Sequence, residues 1–196
     1  MFRLGQASLA STATPSFRRL FSRPQKPAVE TIETVETRAG NGAAEAQFSL
    51  GVKFAGLGPA QDYAQAAHWY LKAADQNHPL AQFNLGMMYA AGHGVPRDTA
   101  KSMEWMQKAA DLGDAGAQHY IGIKHHRASL EGEPERAVES RREAYKWLQL
   151  AAAQGYRGAE AALGFVALNM TREDVTNGSR RTAAFVPGRA NQPRRA

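Results

Sequence analysis

The chain has 196 residues, of which 43% are hydrophobic and 21% charged, the balance of one modest globular domain with tails. It contains no cysteine, which excludes a disulfide framework, a thiolate zinc site and a cysteine nucleophile, and no run of ~18 apolar residues that would span a membrane as a helix. The net charge of +6 divides into +3 over residues 1–42, −1 over 43–170 and +4 over 171–196, so the basic character belongs to the ends and not to the foldable middle.

Residues 1–29 hold five Lys or Arg and no acid, and they are rich in Ser, Thr and Ala. Phe17, Leu20 and Phe21 can share one helical face, with Arg18, Arg19 and Arg23 largely on the others. This is the composition of a mitochondrial presequence. Arg19-Leu20-Phe21-Ser22 resembles a matrix-peptidase site cut after Phe21. The sequence therefore predicts import into the mitochondrial matrix, with the cytoplasm as the alternative. Residues 1–42 as a whole are expected to be a disordered basic segment, because they lack the apolar content to offset ordering entropy.

The middle of the chain repeats itself. Ala46-Gln47-Phe48-Ser49-Leu50-Gly51 returns as Ala81-Gln82-Phe83-Asn84-Leu85-Gly86 and as Ala117-Gln118-His119-Tyr120-Ile121-Gly122, with a weaker copy ending at Leu163-Gly164. A second signature follows the first three copies: Trp69 with Ala73-Ala74, Trp105 with Ala109-Ala110, and Trp147 with Ala151-Ala152. Apolar spacings of three and four place both signatures on helices. Asp62, Asp98 and Ser140 stand seven residues before each Trp as N-cap types, and Gln65 and Glu143 complete capping-box patterns. Gly56, Gly58-Pro59 and Gly92-His93-Gly94-Val95-Pro96 stop the first helices, while Asn77, Gly113 and Gly155 close the second ones. Seven helices are predicted, near 43–55, 62–76, 79–91, 98–112, 115–128, 135–154 and 157–169. In the third unit either Pro134 starts a long helix or the Ser140 cap starts a shorter one after a loop.

A glycine inside a helix costs ~1 kcal/mol against alanine. Gly51, Gly86, Gly122 and Gly164 therefore point to close helix contact, with the large Trp69, Trp105 and Trp147 filling the space beside them. Phases −3 and +1 from the glycine, Phe48/Val52, Phe83/Met87 and His119/Ile123, are expected to meet neighbouring units.

The combination of Ala-x-x-x-Leu-Gly, Gly-x-Gly-Val-x-x-Asp, Trp and Lys-Ala-Ala at about 36 residues resembles the Sel-one-like repeat, a tetratricopeptide-related helical hairpin. The resemblance implies an all-α, right-handed solenoid of antiparallel helix pairs over residues 43–170, with units 43–78, 79–114 and 115–156 and a capping helix in 157–170. It also implies protein or peptide binding on a concave face, without catalysis or cofactor. Ser49, Lys53, Asn84, Met88, Tyr120 and Lys124, at phases −2 and +2, form the row expected to face that partner, an extended segment of acidic character.

Residues 171–196 are expected to be a disordered basic tail. The two basic ends offer the only route to nucleic acid, and an RNA-associated factor is the first alternative. A metal-assisted hydrolase built around His119 and His125, with His126 and Glu131 or Glu133 nearby, is the second; His119 and His125 otherwise fill aromatic packing slots. The chain is expected to be a monomer.

Overall fold

A computed structural model describes residues 32–56 and 61–188. The presequence-like stretch and the last eight residues lie outside them. Among the described residues there are nine helices and no strand. They are α1 (Ile32–Gly40), α2 (Ala44–Ala55), α3 (Tyr63–Asp75), α4 (Pro79–Ala91), α5 (Thr99–Asp111), α6 (Ala115–Glu131), α7 (Pro134–Ala153), α8 (Ala159–Ala167) and α9 (Arg172–Ala183). Each of α2 to α7 packs chiefly on the helices before and after it in the chain, and α8 packs chiefly on α7. The fold is an α-solenoid, in which α2, α4, α6 and α8 (the A helices) form one layer and α3, α5 and α7 (the B helices) the other. Within the A layer α2 meets α4 and α6 meets α8.

The local chemistry explains the boundaries. Asp62 accepts from the backbone N–H groups of Ala64 and Gln65, and Asp98 accepts from that of Lys101, so both cap their helices. Each B helix ends in a Schellman motif. The N–H of His78 reaches Ala73 O and that of Asn77 reaches Ala74 O; Asp114/Gly113 and Tyr156/Gly155 repeat the pair on α5 and α7. The motif needs a left-handed residue, and Asn77, Gly113 and Gly155 have φ of 62°, 98° and 72°.

At element level one open alternative is decided and two sequence expectations are corrected. Ser140 is not a cap: α7 starts at Pro134 and Ser140 lies inside it. The third-unit insertion is helix, because α6 runs on to Glu131 and only Gly132 and Glu133 separate it from α7. The two ends also hold structure where none was expected. Helix α1 stands where a B helix of a preceding unit would stand. It closes with the same Schellman bonds, Ala43 N–H to Arg38 O and Gly42 N–H to Ala39 O, with Gly42 at φ 92°. Helix α9 begins with a full capping box between Thr171 and Asp174 and lies against α7. It is fastened by charge: Arg142 binds Asp174 at 2.6 Å, and Arg181 binds Glu139 and Glu143. Beyond it Phe185 meets Trp147 edge-on at 5.5 Å, and Gly188 N–H donates to Asp111 O at 2.8 Å.

The core is built largely of alanine with a larger residue on each of α2, α4, α5, α6 and α7: Leu50, Leu85, Met106, Ile121 and Leu148 are all nearly inaccessible. The repeat glycines allow that closeness. A Cβ on Gly51 would sit 2.5 Å from the Tyr70 ring, one on Gly86 3.1 Å from Met106, and one on Gly122 2.7 Å from Leu148. The side chain over each glycine is thus the residue after the tryptophan, not the tryptophan expected there. Trp69 and Trp105 turn instead toward the preceding helices, packing with Ala39, Ala46 and Leu50 and with the Ala74–Leu85 cluster respectively. Gly164 departs from the rule, since a Cβ there would meet nothing within 4 Å.

Candidate functional site: the A-helix face

The A layer is pinned by a buried polar ladder that sequence reasoning missed. Gln47 Nε2 donates to Ala39 O at 3.2 Å, Gln82 to Ala74 O at 3.0 Å and Gln118 to Ala110 O at 3.2 Å. Each amide gives a second hydrogen bond to a carbonyl that already accepts from the left-handed closing residue of the preceding helix. Gln76 and Gln154 then donate to the oxygens of Gln47 and Gln118, both at 2.8 Å. In the second unit Leu112 stands where those glutamines stand, and Gln82 Oε1 is buried without a partner. The signal was present, as Gln47, Gln82 and Gln118 keep one phase in three copies.

Phase −3 meets the next unit at Phe83, while Phe48 and His119 contact the last residue of their own units. Phe48 stacks on His78 with centroids 4.6 Å apart, Phe83 approaches Gly116, and His119 lies 5.0 Å from Tyr156. Phase +1 does not meet neighbouring units as expected. Val52, Met87 and Ile123 are 47%, 44% and 39% exposed on three successive A helices. They form an apolar row on the layer's free side.

The six residues expected to face a partner divide. Ser49 is exposed and its hydroxyl donates to Glu45 O. Lys53 pairs with Glu36 at 3.0 Å, and Lys124 is exposed beside the Tyr120 ring. Tyr120 itself is half-buried against the Met106–Ile121 cluster. Asn84 is half-buried, with its side chain beside the Tyr70 hydroxyl. Met88 is 6% exposed and belongs to the core, because the helix turns phase +2 of α4 under Tyr70 and Ala74. Its neighbour Met87 takes the outward place. Between α2, α3 and α4 lies a cleft of about 230 Å³ lined by Ala55, Tyr63, Asn84, Met87, Ala91 and His93. Tyr63 and His93 stack on one wall at 4.9 Å.

The histidines weighed as ligands have packing roles. Burial lowers the basicity of His119 and of His125, the latter opposed in part by Glu143. Among the described residues no three His, Asp or Glu side chains are grouped to hold a metal ion. The arrangement offers apolar contact, hydrogen bonds and two lysines.

Helical hairpins stacked in two layers, with glycines under the facing helix, define a repeat protein of the solenoid class. The Sel1 repeat model matches residues 44–78, 79–114 and 115–156, and the chain belongs to the Sel1 repeat family. A Sel1 repeat protein from Oxalobacter formigenes is similar in structure, with 31% identity and a TM-score of 0.58, covering 69% of this chain and 98% of its own. A protective antigen of uropathogenic Escherichia coli strains displaying an SLR fold aligns with a TM-score of 0.66 and 26% identity over 79% of this chain. The chain spans 32% of that antigen's length. No curated protein matches the sequence.

Proposed function

We propose that the chain is a non-catalytic interaction scaffold that holds an extended peptide of a partner protein across the A-helix face. The carrying observation is the exposed row of Val52, Met87 and Ile123, one residue per repeat at one phase. Neighbouring helices pack at roughly 10 Å, about one three-residue turn of a polyproline II helix. A peptide crossing the layer would therefore present apolar side chains every third position. The cleft beside Met87 receives the largest of them, and Lys53 and Lys124 flank the row and favour acidic residues between the anchors. The supporting family fact is general: Sel1 repeats serve as protein-interaction scaffolds.

The test is affinity purification of the tagged chain with mass spectrometry of what accompanies it, repeated for Met87→Glu/Ile123→Glu. The specific partner is expected to disappear from the variant while helical content and melting stay unchanged. Equal recovery from both proteins would remove the A-helix face as the site. On composition alone we also propose that residues 1–29 direct mitochondrial import. N-terminal sequencing of the mature chain should then find a start at or near Ser22, and an intact Met1 would reject it.

A further inference from the structure

The last A helix lacks the cover that the other three possess. Tyr70, Met106 and Leu148 lie over Gly51, Gly86 and Gly122, but the equivalent space over Gly164 is open. Leu163 is only half-buried, whereas Leu50, Leu85 and Ile121 are no more than 3% exposed. Leu168, the C-cap of this helix four residues beyond Gly164, stands 81% exposed, whereas Ala55, Ala90 and His126 at that phase are half-buried. The next helix in the chain does not close this face. It lies on α7, and the bond from Gly188 to Asp111 carries the chain back toward the second unit.

We propose that the open face of α8 docks an amphipathic helix of a partner protein in the place of a fourth B helix. The complete repeats specify what such a helix carries. A bulky side chain fills the space over Gly164, as Tyr70 does over Gly51. Small residues follow within a turn, as Ala73 and Ala74 do, and let the backbones approach. The far end is set by charge. Glu160 occupies the position of Gln47 and Gln118, whose oxygens accept from Gln76 and Gln154 at the end of the covering helix. A carboxylate there only accepts and favours a cation, so the incoming helix bears Lys or Arg at its C-terminal end. A second copy fits poorly. Its own α8 would bring another glycine where a bulky group is needed and another carboxylate where a cation is needed.

The probe is a labelled peptide copying Asp62–Asn77 of the chain's own α3 with Gln76→Lys, titrated into the full-length protein and followed by fluorescence anisotropy. Saturable binding is expected, weakened at least about tenfold by Gly164→Glu/Leu168→Glu. Both positions are exposed, so the variant should keep the parent's circular dichroism melt. Glu160→Lys should weaken the Lys-ended peptide more than the Gln-ended parent. Absence of saturation, or equal binding to the Gly164→Glu/Leu168→Glu protein, would overturn the proposal. So would a dimer in light scattering that this variant converts to monomer, since the face would then belong to a second copy.

Discussion

Gly122 and Gly164 share one phase of the repeat but not one environment. A Cβ on Gly122 would press on Leu148 at 2.7 Å and on its backbone nitrogen at 3.2 Å. Gly122→Ala should therefore destabilise the protein by about 1–3 kcal/mol, the cost of overpacking. Gly164→Ala meets open space and should stabilise by up to ~1 kcal/mol from helix propensity. Chemical denaturation of the two variants separates the steric account from simple conservation of a motif: two changes of the same sign would contradict it. Leu112 provides the converse case. Leu112→Gln places a donor where Gln76 and Gln154 stand and gives the buried Gln82 oxygen a partner. A gain of about 1 kcal/mol is expected, and a loss would mean that the amide does not reach the Gln82 oxygen.

His125 occupies the slot of Phe54 and Tyr89. Burial lowers its pKa, so the unfolded chain binds the proton more readily than the folded one. Stability from this residue is intact above the ordinary histidine pKa of about 6.5 and is lost as pH falls from there through the folded value. His125→Phe should flatten the decline of melting temperature between neutral and mildly acidic pH.

At the scale of elements, helix α9 is the acid-sensitive part. Its hydrogen bond to Thr171, with Arg142 beside it, holds Asp174 below the usual carboxylate range, and Arg181 does the same to Glu139. Both carboxyls are depressed, so their contribution is present above about pH 4 and disappears as pH falls through the folded values. Hydrogen exchange should show α9 losing protection in that window before α4 and α5 do. Arg181→Ala should release α9 at neutral pH too. The element was missed in the sequence for a physical reason. Its contact with α7 uses ion pairs, a glycine against Tyr145 and one aromatic, Phe185, and none of these gives an apolar period. Helix α1 was missed for the same reason, as its described contact rests on Ala39, Val35 and the Gln47 bond. Gly42 did carry the signal, standing at the phase of Asn77, Gly113 and Gly155.

At the scale of the whole molecule, contacts run between neighbouring helices, so stability is roughly a sum of unit and interface terms. The middle units, flanked on both sides, should be the most protected in native-state hydrogen exchange, with opening free energies falling toward α2 and α8. Uniform protection along the chain would show cooperativity beyond nearest neighbours. The same arrangement leaves two kinds of free surface, the row of Val52, Met87 and Ile123 along the layer and the uncovered α8 at its end.

Most of this architecture is written in the chain by itself. Glycines, alanine pairs, Asp caps and left-handed closing residues recur at one phase, and each imposes its geometry through bonds within a few residues. The sequence could not decide which of two adjacent outward positions on α4 is buried. Met87 and Met88 are the same residue, and a difference of one helical step is settled only by where Tyr70 lies. It could not tell a glycine that is covered from one that is open, because the residue that covers it belongs to another helix. Burial and exposure at the A-helix face are properties of the assembled layers, and only the tertiary structure assigns them.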